Sequence, residues 1–399
     1  MKIALNMERV GTVFGGAEKY AAVLAHHLAG AGHEVHVVAR QVQPGALAET
    51  VTVRPVRLWP VPGAKWLRAY RFACASERLL RADDFDLILG FDKTWYQHAH
   101  LALGGVHQAT LDHSARRFRS SSGRIFWRLG KLLSAKQWVF RAIAEKQFCS
   151  GNSPLVVAPS RMVAGHYRRY FHLPEERIAV VYNGLDDSTV PADAVVARRA
   201  FRGRHGLGDD EIAVLFVAHN YALKGLEPLL EAFARVARHQ PRVRLVVCGS
   251  SRDRPYRRQT EALGVADRVR FLGFIRGVAE CYAGCDVFAF PTFYDSCSLV
   301  VLEAMQAGLP VVTTRQNGAA ELMVHGRHGF LIDSPWALEQ MQDALVRLVA
   351  DEALRHEMAA QAAEAAKGFS IERRLAELTA VLLPLAARGR PEPLARNVA

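Results

Sequence analysis

The length, composition and charge of the chain exclude several kinds of protein. Its 399 residues are half hydrophobic, which is enough for two buried cores rather than one. Lys and Arg number 51 against 39 Asp and Glu, and the net charge of +12 calls for an acidic partner such as nucleic acid, anionic lipid or a phosphorylated glycan. No apolar run reaches the roughly 18 residues of a membrane-spanning helix. The N-terminus enters a strand directly instead of forming a signal peptide, so we expect a cytosolic protein.

Strands and helices alternate along the chain, which is the pattern of a doubly wound parallel sheet. The first half has a predicted helix over 16–29 and predicted strands at 2–5, 35–38, 87–90, 155–158 and 178–184. The second half has predicted strands at 213–217, 244–249, 269–272 and 287–290. The predicted segments are an N-terminal domain over 1–185, a second domain over 186–368 that starts with an Asp- and Ala-rich linker over 186–200, and a tail over 369–399 with a helix at 371–383.

These elements predict an α/β fold of two Rossmann-like doubly wound sheets that face a central cleft. Ligands of open parallel sheets bind at the carboxyl ends of the strands, so motifs that follow strands are the first candidates for a site.

Short motifs follow the first strand of each half. Gly15 and Gly16 lie between a strand and a helix, where a glycine pair lets a phosphate or sugar approach backbone N–H groups closely. A plain tight turn explains this pair about as well. Lys224 follows the first strand of the second half, where an ammonium group is able to neutralise charge that builds on a leaving diphosphate. A lone Lys-Gly is otherwise a common surface turn.

The most informative stretch joins a buried strand, an acidic loop, a helix that carries one acid, and another strand. Ser296 and Ser298 are plausible N-caps for an apolar helix that begins at Leu299, and a Gly-Leu-Pro sequence stops it. Asp295 lies just before this helix and Glu303 lies inside it. A phosphate at the helix N-terminus would therefore lie between two carboxylates that accept hydrogen bonds from sugar hydroxyls. A nucleotide diphosphate sugar has that shape.

The densest positive charge lies in a segment where basic and aromatic residues interleave at roughly helical spacing. The patch is represented by Arg116, Arg117, Arg119, Trp127 and Lys131. Such a helix suits an anionic membrane, with tryptophan at the interface. The alternatives are a solvated helix that packs its apolar side on the domain, and a site for single-stranded nucleic acid, although no nucleic-acid motif accompanies the segment. We predict a membrane or acceptor patch.

The six cysteines are scattered, and only Cys281 and Cys285 are close in sequence. No second pair of ligands matches them, so we expect free core thiols and no metal site.

At the motifs described above, the chain resembles the family 4 glycosyltransferases, retaining enzymes of the GT-B fold, whose signature is an acid, seven residues and a Glu. Asp295 stands where the family usually has Glu, which keeps the charge but shortens the reach by one methylene. Glu303 stands where the family binds the nucleotide ribose. The resemblance covers the whole chain and is greatest for the lipopolysaccharide core glucosyltransferase I group.

The resemblance implies roles for further residues. The Gly15-Gly16 loop would cover the donor phosphates, and Lys224 would bind them. The arginine that usually assists this lysine is missing, which leaves Lys224 with less help or makes His219 or another basic residue its partner. His107 follows a glycine pair at the predicted end of a strand, where it resembles the family residue that touches the donor sugar, although a lone histidine is more often structural. The remaining donor-binding candidates are Ile275, Ser296, Cys297, Ser298 and Leu299.

The implied reaction is transfer of a hexose with retention, by front-face substitution and without a metal. In the group that the chain resembles, the reaction transfers glucose from UDP-glucose to a lipid-linked glycan, such as the heptose region of lipopolysaccharide core. The enzyme would be peripheral on the inner face of the cell membrane and would bind no nucleic acid. The alternatives are a mannosyl- or galactosyltransferase for another envelope glycan, a UDP-sugar epimerase of the same architecture, and a non-catalytic basic binding protein.

Overall fold

The chain folds into two compact units. A computed structural model describes residues 1–59, 61–62, 65–91, 93–149, 153–186, 190–275 and 277–388. One unit comprises Met1–Tyr182 together with the residues from Glu372 onward, and the other comprises Asn183–Ile371. Residues 187–189 of the predicted linker and 389–399 of the predicted tail lie outside the described residues.

The chain passes from one unit to the other three residues away from each predicted boundary. Leu185 and Ser370 form an isolated parallel bridge. The Leu185 N–H donates to Phe369 O at 2.8 Å, and the Ile371 N–H donates to Leu185 O at 2.8 Å. The two crossing segments therefore pair with each other, which places both of them in the second unit.

The first unit is built on a seven-stranded sheet in which every pairing is parallel. The strands of this unit are β1 (Lys2–Asn6), β2 (Arg9–Val10), β3 (Glu34–Ala39), β4 (Gln41–Val42), β5 (Thr52–Pro55), β6 (Leu87–Phe91), β7 (Ala99–Leu101), β8 (Leu155–Ala158) and β9 (Ile178–Val180). The sheet order is β5-β3-β1-β6-β7-β8-β9, and β2 pairs separately with β4. The helices are α1 (Gly16–Gly30), α2 (Arg68–Arg81), α3 (His107–Ala115), α4 (Ser121–Leu132), α5 (Ala135–Phe148) and α6 (Arg161–Phe171).

The second unit is built on a six-stranded parallel sheet. Its strands are β10 (Ile212–Val217), β11 (Val243–Cys248), β12 (Val269–Gly273), β13 (Val287–Phe290), β14 (Val311–Thr314) and β15 (Gly329–Ile332), in the order β12-β11-β10-β13-β14-β15. Its helices are α7 (Ala194–His205), α8 (Leu226–Ala237), α9 (Arg254–Ala262), α10 (Ala279–Gly284), α11 (Leu299–Gln306), α12 (Leu338–Ala350) and α13 (Glu352–Ala366). The last helix, α14 (Ile371–Leu382), belongs to the first unit from Glu372.

Continuous apolar runs explain the parallel pairing of these strands. Every residue of β6 and β13 is buried, as is every residue of β14. Helices cover both faces of such sheets, so the strands do not alternate between apolar and polar residues. The predicted fold class, two Rossmann-like doubly wound domains, is confirmed.

The predicted linker over 186–200 is wrong in its second half, because α7 begins at Ala194. The Asp193 side chain caps this helix by accepting from the Val196 N–H at 2.9 Å, and Gly206 ends it with φ of 63°. Phe201 is buried in the second unit. The Asp- and Ala-rich composition indicated a linker, whereas Asp193 is an N-cap and the alanines that follow are helix formers.

The segment before His107 also differs from the prediction, which placed this histidine at the end of a strand. Strand β7 ends earlier, at Leu101, and His107 is the first residue of α3. The intervening turn contains Gly105 with φ of 69°, a backbone angle that ends an extended segment and favours glycine.

Candidate active site

Two predicted site residues of the second unit are in direct contact. Lys224 follows β10, Asp295 follows β13, and these strands are neighbours in the sheet. Lys224 Nζ lies 2.6 Å from Asp295 Oδ2 and 3.1 Å from the Tyr294 carbonyl oxygen. Both side chains are largely shielded, with exposed fractions of 20% and 16%. The ion pair therefore lies at the carboxyl edge of the sheet, where ligands of doubly wound folds bind.

Backbone packing holds the loop that carries Lys224. The Phe293 N–H donates to Leu223 O at 2.9 Å, which ties this loop to the segment after β13. Gly225 has φ of 82°, and a Cβ on it would lie 1.9 Å from Pro291 O. Glycine is required here by both the backbone angle and the close approach, so the Lys-Gly pair is more than a surface turn.

Asn317 shapes the start of helix α11. Its Oδ1 accepts from the Ser298 N–H at 3.2 Å and from the Ala319 N–H at 3.1 Å, while its Nδ2 donates to Thr313 Oγ1 at 3.2 Å. Asn317 also forms an isolated bridge with Asp295. Ser298 is the N-cap residue, and its side chain makes no capping hydrogen bond in the described structure. The hydroxyl therefore does not occupy the N–H groups of the first turn, which is the predicted anion site.

The other predicted donor-binding residues of this loop have distinct environments. Ser296 is half-buried, and Leu299 is the first residue of α11. Cys297 is buried, and its carbonyl oxygen accepts a hydrogen bond from Asn183 Nδ2 at 2.7 Å. This bond anchors the loop within the second unit.

Glu303 is oriented by a buried tyrosine. The Tyr282 hydroxyl donates to Glu303 Oε2 at 2.8 Å. Burial raises the pKa of Tyr282 well above its ordinary value, and the neighbouring Glu303 carboxylate raises it further. The tyrosine therefore stays protonated and donating, which fixes the rotamer of the carboxylate predicted to bind ribose.

His219 forms a ring pair at the same edge of the sheet. Its Nδ1 lies 2.9 Å from Gly249 O, so Nδ1 carries the proton and Nε2 is an acceptor in the neutral ring. The role of His219 as a partner of Lys224 stays a prediction. The ring stacks on exposed Phe274, with centroids 6.0 Å apart and planes at 20°. Ile275 is the next residue, and an exposed aromatic face suits a nucleobase.

The predicted glycine loop of the first unit begins helix α1. Gly15 is the N-cap residue and Gly16 the first helical residue. A Cβ on Gly15 would lie 2.7 Å from Glu18 Oε2. Glu18 in turn forms an ion pair of 2.9 Å with Arg9, which offsets its negative charge beside the loop. The role of this loop with donor phosphates stays a prediction.

His107 lies against residues of the basic aromatic segment in the first unit. Its Nε2 lies 2.5 Å from Gln137 Oε1 on α5, and its ring packs edge-on against Phe140 with centroids 5.1 Å apart. With Trp127 and Lys131, it lines an open pocket of about 290 Å³. Its contact with a donor sugar stays a prediction.

Helix α4 carries an unusual surface. None of its residues, all of which are described, is buried. Four large apolar side chains, here called the α4 apolar face, are exposed: Ile125, Phe126, Leu129 and Leu132. Trp127 and Lys131 of the predicted patch lie on the same helix, while Arg116, Arg117 and Arg119 precede it. The sequence analysis left open that this helix packs its apolar side on the domain. Because no residue of α4 is buried, that alternative does not apply to it. Across the described ranges, no helix is both long and apolar enough to span a bilayer.

The cysteines are free, and Cys248, Cys281, Cys285 and Cys297 are buried. Within the described part of the chain, no group of three or more His, Cys, Asp or Glu side chains is arranged to hold a metal ion.

The sequence analysis missed the contacts of three residues that support this site. Tyr282 gave no local signal, because its partner Glu303 is 21 residues away. Asn183 precedes Gly184, a common turn sequence, and that pattern does not show that its side chain bonds to a residue 114 positions away. Asn317 precedes Gly318 after a strand, and that Asn-Gly turn signal was the one cue available in the sequence.

Two protein-family models match successive parts of the chain. Residues 14–189 match the model described as Glycosyltransferase Family 4, and residues 197–365 match the model described as Glycosyl transferases group 1. The signature acids, Lys224 and His219 all lie in the second of these matches.

Characterised and uncharacterised relatives agree with these matches. An uncharacterised glycosyltransferase of Methanocaldococcus jannaschii is 30% identical over 342 residues, which cover 83% of this chain and 85% of that protein. A D-inositol 3-phosphate glycosyltransferase of Xylanimonas cellulosilytica is 35% identical over 244 residues, 57% of this chain and 56% of the relative. The lipopolysaccharide glucosyltransferase WaaG of Escherichia coli is 25% identical over 227 residues, 56% of this chain and 60% of the relative.

The fold is shared with a solved structure. The crystal structure of WaaG, a glycosyltransferase involved in lipopolysaccharide biosynthesis, matches with a TM-score of 0.79 and 20% identity over 96% of this chain and 99% of that chain. The fold and the sequence matches thus define a glycosyltransferase of the GT-B class. The chain belongs to glycosyltransferase family 4, and the resemblance to a lipopolysaccharide core glucosyltransferase is confirmed at low identity.

Proposed function

We propose that this glycosyltransferase moves glucose from UDP-glucose to a hydroxyl of a lipid-linked glycan, such as the heptose region of lipopolysaccharide core, with retention at the anomeric carbon. The observation that carries the proposal is the contact of Lys224 with Asp295 beside the N-terminus of α11. A cation, a carboxylate and a helix N-terminus at one sheet edge supply the groups that a nucleotide diphosphate sugar needs.

Each group has a proposed role with the donor. Lys224 and the N–H groups at the start of α11, including that of Leu299, bind the diphosphate. Asp295 accepts hydrogen bonds from sugar hydroxyls, and Glu303 accepts them from ribose. The residues of the second unit proposed to line the remaining donor surface are His219, Ile275, Ser296, Cys297 and Ser298.

The proposed chemistry is front-face substitution without a metal cofactor. The acceptor oxygen bonds to the anomeric carbon on the face from which UDP departs, and the bond from that carbon to the diphosphate oxygen breaks. A diphosphate oxygen takes the acceptor proton, so charge and atoms balance within the two substrates. Lys224 and the dipole of α11 stabilise the negative charge on the leaving group.

The acceptor proposal is supported by the surface of the first unit. The α4 apolar face is exposed beside basic residues, and this combination suits an enzyme that is peripheral on the inner face of an anionic membrane. A lipid-linked glycan is then the expected acceptor, since its lipid holds the glycan at that surface. No nucleic-acid partner is proposed.

A second candidate is a transferase with another donor or acceptor. The sequence match to a D-inositol 3-phosphate glycosyltransferase supports a phosphorylated polyol acceptor of that kind, and mannose or galactose would fit the same proposed site. These alternatives keep the roles of Lys224, Asp295 and Glu303 and change only the substrates.

The test is a panel of UDP-, GDP-, ADP- and CDP-sugars incubated without added metal, with nucleotide release followed in the presence and absence of heptose-containing core lipid. The expected result is UDP release from UDP-glucose that depends on acceptor and is lost in Glu303→Ala. Glu339→Ala, an exposed residue on α12, is the matched control and should behave as the wild type. Consumption of a different nucleotide sugar would replace the donor proposal, and anomeric inversion in the product would contradict the mechanism.

A further inference from the structure

The open pocket of about 290 Å³ in the first unit is formed by helices α3, α4 and α5. The residues that give the pocket its chemical character are Gln108, Asp112, Trp127, Arg128, Lys131 and Arg141. The function proposed above uses this surface for its charge and apolar area alone. The shape and polarity of the cavity are more specific than a charged surface requires.

The α3 wall presents hydrogen-bond acceptors. Gln108 and Asp112 are four residues apart and therefore share one face of the helix. Gln108 Oε1 is buried and has no hydrogen-bond partner among the described residues. A buried acceptor of this kind is destabilising until a donor reaches it. Asp112 accepts from the Tyr170 hydroxyl at 2.5 Å, which fixes its carboxylate. This wall is suited to a ligand that carries hydroxyl groups.

The walls from α4 and α5 carry positive charge and two indoles. Arg128, Lys131 and Arg141 line the pocket, and Asp112 is the one acid in the described lining. Lys131 Nζ lies 5.3 Å from the centroid of the Trp127 ring, which holds the ammonium group against the pocket wall. Guanidinium groups bind phosphate oxygens well. The pocket as a whole therefore suits a ligand that combines a phosphate with hydroxyl groups.

The position of the pocket indicates where such a ligand comes from. Leu132 belongs both to the pocket lining and to the α4 apolar face, and Trp138 lines the pocket while 62% of it is exposed. An interfacial helix buries its apolar face to the boundary between headgroups and acyl chains. The pocket then lies at the level of the headgroups, where tryptophan is favoured.

We infer that this pocket binds the phosphorylated polyol headgroup of an anionic lipid. The inference rests on the membrane association proposed above and adds selectivity to it. The three cations bind the lipid phosphate, and Gln108 and Asp112 accept hydrogen bonds from the hydroxyl groups of the headgroup. The carboxylate of a serine headgroup would instead be repelled by these two acceptors, so a serine lipid of equal net charge binds less well.

The test compares vesicles that contain phosphatidylglycerol with vesicles that contain an equal mole fraction of phosphatidylserine, because both lipids have the same net charge. The full-length protein should bind phosphatidylglycerol vesicles about tenfold more tightly, as one buried hydrogen bond allows. Gln108→Met, which keeps the side-chain volume and removes the acceptor, should bring the two affinities closer together.

Two arginines on α4 distinguish headgroup binding in the pocket from general electrostatic attraction to an anionic vesicle. Arg128 lines the pocket, whereas Arg124 does not, and each loses one charge on replacement by Gln. Arg128→Gln should weaken binding to phosphatidylglycerol more than to phosphatidylserine, while Arg124→Gln should weaken both equally. Equal binding of both lipids by the wild type, or an unchanged ratio in Gln108→Met, would overturn the inference.

Two further outcomes are distinguishable. Competition by soluble glycerol phosphate at concentrations comparable to lipid would assign the pocket to a soluble phosphorylated polyol and overturn the lipid assignment. UDP release from UDP-glucose is measured in a separate assay. If the protein selects between the headgroups but releases no UDP, the result contradicts the proposed donor chemistry and leaves the pocket assignment standing. Retained UDP release without selectivity would contradict the pocket assignment alone.

Discussion

Lys224 and Asp295 neutralise each other at the carboxyl edge of the second sheet, 2.6 Å apart. A diphosphate carries more negative charge than one carboxylate, so we expect it to compete for the lysine and turn Asp295 toward sugar hydroxyls. Asp295 is one methylene shorter than the usual Glu of the family signature. Its contact with Lys224 holds the shorter side chain at the site, which is a physical reason for Asp to serve the proposed role there.

Replacement of Lys224 by Met should lower the turnover number for donor consumption by about 10²–10³-fold, because charge on the leaving diphosphate loses its cation. Steady-state kinetics of UDP release measures this effect. Lys367→Met is the matched control, since Lys367 also forms an ion pair of 2.6 Å, with Glu364, but on an exposed helix end. Equal turnover in the two variants would remove Lys224 from the mechanism.

In the proposed mechanism, Tyr282 acts on the donor through Glu303, as a positioning residue. Tyr282→Phe removes the 2.8 Å hydrogen bond and should raise KM for the donor about tenfold, with little change in kcat, because one hydrogen bond has held the carboxylate. In a Glu303→Ala background the same substitution should leave KM unchanged. A purely structural role would lower stability in both backgrounds and leave KM unaffected in either.

At the scale of elements, helix α7 is attached to the second sheet by a buried charge. The Arg202 side chain is 2% exposed and lies 3.3 Å from Asp286 Oδ2, just before β13. The same carboxylate accepts from Arg198 at 2.7 Å and from the Ala213 N–H at 2.7 Å. Asp286 thus joins α7 to β10 and β13, which is why a segment of linker-like composition is a helix here.

Asp286→Ala should lower the free energy of unfolding of the second unit by about 3 kcal/mol, because it leaves the buried Arg202 charge without its carboxylate. Urea denaturation followed by tryptophan fluorescence and circular dichroism would measure the change. The exposed ion pair of Arg242 with Asp210 provides the control, and Asp210→Ala should leave the urea midpoint of unfolding unchanged. A midpoint that is equally insensitive to Asp286→Ala would show that α7 does not depend on this ion pair.

The α4 helix and the basic residues before it combine exposed apolar side chains with cationic ones. Combined replacement of Arg116, Arg117, Arg119, Trp127 and Lys131 should reduce binding to anionic vesicles at least about a hundredfold, since each basic residue near a surface contributes about 1 kcal/mol. Vesicle co-sedimentation measures the loss, and UDP binding should be preserved.

The control for this variant removes four exposed cations elsewhere on the chain. The control positions are Arg242, Arg315, Lys367 and Arg373. If general net charge governed membrane binding, the two variants would bind alike, and the membrane proposal for α4 would fail. High salt should weaken the wild type without abolishing binding, because the apolar face does not depend on screening.

At the scale of the whole molecule, the chain passes between its two units at two places that pair with each other. Gly184 lies beside this pairing, and a Cβ there would be 2.6 Å from Ile371 Cα. Backbone atoms on both sides leave little room to relax.

Gly184→Ala should therefore lower the melting temperature, with a cost of about 1–3 kcal/mol for overpacking. Differential scanning calorimetry measures the change in melting temperature. Gly203→Ala, inside α7 with nothing within 4 Å of the added Cβ, is the matched control and should be neutral or slightly stabilising. A melting temperature unchanged by Gly184→Ala would mean that the crossing segments separate at little cost.

The sequence by itself determined the order and type of most elements, the two parallel sheets and the family. These follow from local patterns: apolar runs predict buried strands, glycine and proline end helices, and the acid-x7-Glu spacing lies within one loop and helix. Only the tertiary structure decided that Lys224 meets Asp295 across 71 positions, that Tyr282 orients Glu303, that α7 replaces a linker, and that α4 is left uncovered. Such contacts depend on the order of strands in the sheet and on the packing of remote side chains, and no local pattern in the chain records either.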